Sequence, residues 1–128
     1  MRALAEAAGG ALCIVAFAAF WLWWMPPAHA AERICGVGSY YGTESGTRTA
    51  TGERFTGRDL TAAMPSRTHL GEHWRVTYRG KSVVVRINDI GPARRLNRIM
   101  DLSRAAAERI GLIQAGVGRV CVEQIRQP

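Results

Sequence analysis

The chain has 128 residues, of which 17 are Lys or Arg and 10 are Asp or Glu, so its formal net charge is +7 at neutral pH. This length predicts a single small domain. The sequence has no phosphate-binding loop and no dinucleotide-binding motif, which argues against nucleotide-dependent chemistry of those classes, and it has no Cys-x-x-Cys pair of the kind that binds zinc. We expect no metal and no other cofactor.

The first thirty residues have the composition of an export signal. Arg2 precedes an apolar run over residues 11–25, and a Pro-Pro pair and a final Ala-His-Ala follow. We predict a signal peptide over residues 1–30 and a mature domain over residues 31–128, located in the periplasm or secreted. An uncleaved anchor is the alternative, and this segment would be the only contact with a membrane. The apolar run is shorter than the ~20 residues that a spanning helix needs.

The mature part contains several segments with strand or helix patterns. They are a strand at 35–42, a short apolar run at 59–64, a β-hairpin at 73–89, a helix at 101–111 and a strand at 117–125. Apolar residues alternate with polar ones on both sides of Arg79-Gly80, which indicates the hairpin. Asp101 or Ser103 can cap the helix. Short strands, Gly-rich loops and one helix predict a small, mainly β barrel.

Two cysteines, Cys35 and Cys121, lie near the two ends of the mature domain. In an oxidising compartment such a pair predicts a disulfide between the first and last strands. Closing a loop of this length would stabilise the fold by about 4–5 kcal/mol in the chain-entropy model. Lipidation of Cys35 is the alternative, which residues 32–34 disfavour because they lack the small side chains of a lipidation motif.

The basic charge bears on the choice of partner. The residues after position 30 keep 16 of the basic and 9 of the acidic side chains. A basic domain favours an anionic partner. Because export separates the protein from nucleic acid, we expect an anionic wall polymer or membrane surface instead. A genome rich in arginine codons is the alternative explanation of the charge.

The stretch that ends the hairpin, Asn88-Asp89 before a Gly-Pro pair, combines a buried strand with a carboxylate. Strand alternation places Val83, Val85, Ile87 and Asp89 on one face. Asp89 would then lie at the mouth of the core, where burial disfavours the charged form and favours a general acid. Ordinary turn formation by Asn-Asp-x-Gly-Pro is the alternative.

Other candidate residues carry weaker signals. Glu53 is a second carboxylate in a polar loop, Asp101 is assigned to the helix cap, and His69 lies in a loop from which it could reach a site. The sequence has no serine or cysteine nucleophile motif. Carboxylates and hydroxyls therefore favour chemistry on a glycosidic bond or plain polysaccharide binding.

Five motifs occur in order: GVGSYYG, RTATGERF, LTAAM, VVVRINDIGP and IMDLSRAAAERIGL. Together they resemble the rare lipoprotein A (RlpA) family over about residues 36 to 125. The resemblance implies a six-stranded double-psi β-barrel with one short α-helix. It also implies a cell-envelope protein that acts on peptidoglycan glycan strands. We expect the protein to be a monomer.

Some members of this family are lytic transglycosylases that cleave strands stripped of peptide. In that reaction the 6-hydroxyl of the sugar attacks its own anomeric carbon, so no water is consumed. The resemblance implies that Asp89 is the acid/base group and that Glu53, in the position of the family's ASGE-like motif, is a second functional carboxylate.

Two departures from the family pattern affect this expectation. Active members carry a His at the end of TAAH, where this chain has Met64, and His69 is a possible substitute. Ile90 replaces the Arg of the family's NDRGP. A non-catalytic polysaccharide-binding barrel of the expansin kind is therefore the alternative, and a secreted scaffold is a third reading. In either glycan-directed reading, the expected sugar contacts are Tyr40, Tyr41, Arg86, Asn88 and Arg94.

Overall fold

The computed structural model describes residues 31–42, 46–92 and 94–126. The regular elements in chain order are β1 (Arg33–Tyr41), β2 (Thr61–Met64), β3 (His73–Tyr78), β4 (Lys81–Ile90), β5 (Arg98–Ser103), α1 (Arg104–Ile110) and β6 (Val117–Ile125). The predicted signal peptide, residues 1–30, lies outside the described residues. Within the described part of the chain, no helix has the length and apolar composition needed to cross a membrane.

The six strands form a closed barrel in the order β1-β5-β2-β4-β3-β6. Strands β1 and β5 are parallel, as are β2 and β4, and the other neighbouring pairs are antiparallel. Closure leaves no free sheet edge. The predicted six-stranded, mainly β barrel with one short α-helix is confirmed.

Alternation along the strands fills the barrel with apolar side chains. The most deeply buried include Val76, Val85, Ile87, Met100, Leu102, Val120 and Val122. Helix α1 adds Ala106, Ala107 and Ile110 to this core. Burial of these side chains supplies the main driving force for the fold.

The hairpin of β3 and β4 has the predicted two-residue turn. Arg79 and Gly80 both have positive φ angles, of 46° and 79°. Two-residue hairpin loops with positive φ at both positions match the twist of the flanking strands. The predicted hairpin is confirmed, although β4 continues to Ile90.

The region around Asp101 differs from the prediction. Residues 98–103 form a strand that the sequence pattern did not indicate, so the helix begins at Arg104 and not at Asp101. Ser103 caps the helix, because its side chain accepts a hydrogen bond from the Ala106 N–H. Asp101 is a strand residue, and its assignment to the helix cap is wrong.

The first and last strands are joined as predicted. Cys35 and Cys121 lie opposite one another in the β1–β6 register and form a disulfide.

Close packing inside the barrel requires glycine at two facing positions of β1 and β6. A Cβ on Gly38 would lie 2.7 Å from Val120 Cγ2. Gly118 faces Gly38 in β6, and a Cβ there would lie 2.6 Å from Tyr78 Cε2. These small residues allow the barrel to close around large core side chains.

Candidate active site

The polar loop that contains Glu53 forms a compact hairpin over residues 47–55. Arg48 and Arg54 form an isolated antiparallel β-bridge, and the Thr49 N–H donates a hydrogen bond to the Glu53 carbonyl oxygen at 2.9 Å. The Gly52 N–H closes the turn by donating to the Thr49 carbonyl oxygen at 2.9 Å, and Gly52 has a φ of +86°. We call this segment the 47–55 hairpin. Its fold directs two backbone N–H groups at the tip toward β4.

The 47–55 hairpin docks on the end of β4 through Asp89. The Ala50 N–H donates to Asp89 Oδ1 at 3.0 Å, and the Ile90 N–H donates to the same oxygen at 2.9 Å. The Thr51 N–H donates to the Asn88 carbonyl oxygen at 3.2 Å. No described residue donates to Asp89 Oδ2. The half-buried carboxyl group is therefore held in place through Oδ1.

Glu53 is held in the same docking contact. Arg86 donates from Nη1 to Glu53 Oε1 at 2.5 Å and from Nη2 to Oε2 at 2.8 Å. The hydrogen bond from Arg86 lowers the pKa of Glu53, and a further bond from the Asn88 side chain acts in the same direction. Glu53 is therefore ionised at neutral pH. Arg86 and Asn88, which were predicted to contact sugar, both hold this hairpin residue.

A β-bulge at Asn88 changes the direction of Asp89. Ala62 pairs with Ile87 and Ala63 pairs with Asp89, so one residue of β4 has no partner in β2. As a consequence, the consecutive residues Ile87 and Asn88 are both buried. The expectation that Asp89 shares the core face of Ile87 is wrong, because the bulge moves Asp89 to the face of Ala63.

Ala63 separates two aspartates on this face. It pairs with Asp89 of β4 on one side and with Asp101 of β5 on the other. Ser39 of β1 lies beside Asp101 and donates a hydrogen bond to its Oδ1. Arg98 Nε lies 3.6 Å from the same oxygen. Since neighbouring strands lie about 4.8 Å apart, the two aspartates flank a gap of about two strand spacings.

The Tyr41 hydroxyl lies in the field of both aspartates. The Tyr41 ring is buried and stacks on Phe55 with ring centroids 4.8 Å apart, and Ala63 packs with them. Burial and, to a smaller extent, the charges of Asp89 and Asp101 raise the pKa of Tyr41. Its hydroxyl is buried without a hydrogen-bond partner among the described residues. The Tyr41 hydroxyl is therefore a protonated group buried beneath the site face.

The other predicted site residues lie elsewhere. Tyr40 packs against the barrel core. Met64 is buried in that core, and is 5% exposed. His69 Nδ1 lies 2.9 Å from Glu72 Oε2, and the ring of His69 contacts the edge of Trp74. Within the described part of the chain, no hydrogen bond or ion pair joins His69 to Asp89. The Arg94 side chain lies outside the described residues, so its predicted role stays a prediction.

Asp101, Ser39 and Phe55 join the site without having been predicted. The Ser39–Asp101 contact depends on the pairing of β1 with β5, which residues 62 positions apart establish. Among the described residues, no group of three or more His, Cys, Asp or Glu side chains is arranged to hold a metal ion.

Comparison with known families assigns the barrel. A family model described as lytic transglycolase matches residues 33–122. The chain belongs to the RlpA-like double-psi β-barrel family. A probable endolytic peptidoglycan transglycosylase RlpA from Nostoc sp. is 47% identical over 93 residues, which are 69% of this chain and 24% of that protein. The endolytic peptidoglycan transglycosylase RlpA of Pseudomonas aeruginosa is 44% identical over 98 residues, covering 74% of this chain and 28% of the relative. The RlpA-like chain thus spans about a quarter of the length of these relatives.

Solved structures share the fold of this RlpA-like barrel at lower identity. The Streptomyces papain inhibitor superposes with a TM-score of 0.63 at 20% identity, covering 74% of this chain and 96% of that one. An apo expansin from Clavibacter michiganensis gives a TM-score of 0.61 at 20% identity, covering 76% of this chain and 52% of that one. At this identity the likeness establishes the double-psi architecture alone.

Proposed function

We propose that this RlpA-like domain is a lytic transglycosylase that cleaves peptide-stripped glycan strands of peptidoglycan, with Asp89 as the acid/base group. The observation that carries the proposal is the fixed Asp89 carboxyl, whose Oδ1 accepts two backbone N–H groups while Oδ2 has no donor among the described residues. The names of the relatives, endolytic peptidoglycan transglycosylases, support the same reaction class. The proposed setting is the periplasm or the cell exterior, and the proposed active form is a monomer.

The free oxygen of Asp89 has two successive tasks in this reaction. Protonated Oδ2 first donates its proton to the glycosidic oxygen as the bond between that oxygen and the anomeric carbon breaks. The resulting carboxylate then accepts the proton of the 6-hydroxyl as that oxygen bonds to the anomeric carbon. One group serves both steps, so the site needs no water and no second acid.

Three neighbours have supporting tasks in the proposed mechanism. Asp101 supplies a fixed negative charge that stabilises the positive charge developing on the sugar ring. The neutral Tyr41 hydroxyl lies buried beside the two aspartates and helps to fix their positions from beneath the site face. Glu53 is ionised, so it acts by holding the 47–55 hairpin over Asp89 and does not donate a proton.

Glycan binding without cleavage is the second candidate function. The observation that favours it is Met64, which occupies the family's histidine position and lies in the barrel core, where it brings no proton-transfer group to Asp89. A point mutant of the Clavibacter expansin, which shares the fold with a TM-score of 0.59 at 18% identity, has a structure in complex with cellohexaose. This alternative would keep the polar face for sugar contacts alone.

Incubation of the purified protein with peptide-stripped strands separates the two functions. The proposal predicts soluble fragments with anhydro ends, detected by mass spectrometry. Retention of the protein on the glycan pellet without any fragments would contradict the transglycosylase and support the binding barrel.

A further inference from the structure

A groove with a volume of about 550 Å³ lies beside the candidate site and has no task in the proposed mechanism. It is lined by Phe55, Gly57, Arg58, Arg104, Ala105 and Glu108, among others. A second depression of about 280 Å³ shares Arg58, Ala105 and Glu108 with it and continues to Leu60 and Arg109. We call the two together the Arg58 groove. Because Phe55 stacks on Tyr41, the groove begins next to the face that carries Asp89.

Two hydrogen bonds to backbone carbonyl oxygens fix the shape of this groove. The Ala105 N–H of α1 donates to the Gly57 carbonyl oxygen at 3.0 Å. The Ser103 hydroxyl donates to the Asp59 carbonyl oxygen at 2.6 Å. The segment before β2 is thereby tied to the start of α1. The lining of the groove combines small residues, Gly57 and Ala105, with three arginines, Arg58, Arg104 and Arg109.

The walls carry an excess of positive charge. Arg104 pairs with Glu108, its Nε lying 3.1 Å from Oε1. Arg58 and Arg109 are exposed, and neither forms an ion pair with a described residue. Asp59 does not line the groove, and its charge acts on Arg86. Two guanidinium groups are thus left to meet a ligand anion, and planar guanidinium favours a carboxylate in a two-point contact.

We propose that the Arg58 groove is a subsite in which Arg58 and Arg109 bind the lactyl carboxylate of a muramic acid residue. The proposal rests on the proposed function, since it takes the substrate to be a glycan strand that passes from Asp89 across Phe55. Removing the peptide stem frees this carboxylate, whereas an attached stem converts it to an uncharged amide. The groove therefore distinguishes stripped strands from peptide-bearing ones by charge.

Binding measurements in the Asp89→Asn background test this subsite, because the strands are then not consumed. Stripped strands are compared with the same strands after carbodiimide-mediated amidation of their carboxylates. We expect amidation to weaken binding roughly tenfold, as two exposed ion-pair contacts would. Adding Arg58→Gln and Arg109→Gln should weaken binding of untreated strands by a similar factor and abolish the difference between the two strand types.

Arg119→Gln is the matched control, because Arg119 is an exposed arginine of β6 outside the groove. Equal weakening by Arg119→Gln would mean a net-charge effect and would overturn the proposal. So would a groove variant that still prefers untreated strands while its thermal unfolding is unchanged. Competition by millimolar inorganic phosphate that is stronger than competition by lactate would assign the groove to phosphate and contradict it.

The subsite and the proposed function can fail separately. Carboxylate-dependent binding that needs Arg58 and Arg109, in a protein that releases no fragments, would support the subsite and contradict the transglycosylase. Cleavage by the unaltered protein with equal affinity for both strand types would contradict the subsite alone.

Discussion

Asp89 and Asp101 lie on either side of Ala63, yet their surroundings differ. Asp89 Oδ1 is held by backbone N–H groups and its other oxygen has no donor among the described residues. Asp101 accepts from Ser39 and lies next to Arg98. The first arrangement leaves Oδ2 without a described donor, whereas in the second a side-chain donor and a cation lie beside the carboxylate. The proposed roles of the two aspartates, proton transfer for Asp89 and charge stabilisation for Asp101, follow from this difference.

Of the substitutions that test this comparison, Asp89→Asn should have the largest effect on the rate of strand cleavage. The amide keeps the size of the side chain but transfers no proton, so we expect the rate of strand cleavage to fall by about 10²–10⁴-fold. Initial rates on stripped strands provide the measurement. Glycan affinity within threefold of the unaltered protein is the control, and a rate loss below tenfold would contradict the acid/base assignment.

Replacing Asp101 by Asn should have a smaller effect, because it removes a charge and not a proton carrier. We expect a loss of roughly 10–100-fold in kcat, with the pH profile of the reaction unchanged. A shift in the rising or falling part of the pH–rate profile would instead show that Asp101 is a proton-transfer group. That result would reverse the roles assigned to the two aspartates.

Tyr41→Phe separates activity from stability. The hydroxyl is buried without a partner among the described residues, so its loss should leave the free energy of unfolding unchanged or raise it by about 1 kcal/mol. Because a neutral dipole beside both aspartates is lost, kcat should fall roughly tenfold. Denaturant unfolding and initial rates test the two parts. Destabilisation by more than about 1 kcal/mol would mean that the hydroxyl has a structural partner.

Glu53→Gln should loosen the 47–55 hairpin with a modest effect on stability. The Glu53–Arg86 pair is partly exposed, so screening limits its contribution to below about 1 kcal/mol. Since the folded pKa of Glu53 is lowered, this contribution is present above the unfolded value of about 4.3 and is lost as the pH falls through the folded value. Acid unfolding curves should therefore differ less between variant and parent below pH 4 than at pH 6. A constant difference across this range would contradict the ion-pair explanation.

The smallest expected effect is a difference in stability between Tyr41→Phe and the parent at alkaline pH. The folded pKa of Tyr41 is raised, whereas a tyrosine in the unfolded chain ionises at about pH 10. Above that pH the folded state holds more protons, so the free energy of unfolding falls as the pH rises. Unfolding curves between pH 9 and 11 should show a shallower decline for Tyr41→Phe than for the parent. Identical slopes would mean that neither burial nor the charges of the aspartates raise the pKa of Tyr41 in the folded state.

The sequence predicted the parts of the fold that local patterns specify. Alternation identified β3 and β4, and the paired cysteines identified the contact of β1 with β6. The motif order predicted the barrel itself. Strand β5 was missed because Asp101 and Ser103 resemble helix caps. Only the pairing of Asp101 with Ser39 and Ala63, and of Ser103 with Tyr41, shows their place in a sheet.

The candidate site was predicted in part, since Asp89 and Glu53 were both singled out. The bulge at Asn88, the hydrogen bond from Ala50 to Asp89 and the Ser39–Asp101 contact all join residues that are distant in sequence or break the strand period. Local periodicity carries no information about such contacts. The direction in which Asp89 points therefore had to come from the structure.

Digestion of stripped strands in water enriched in oxygen-18 tests the central claim most directly. If Asp89 transfers the proton of the sugar's own 6-hydroxyl, the new ends should be anhydro sugars that contain no oxygen-18, and Asp89→Asn should form them about 10²–10⁴-fold more slowly. Incorporation of oxygen-18 at the new reducing ends would show that water is the nucleophile, which would contradict the proposed transglycosylation.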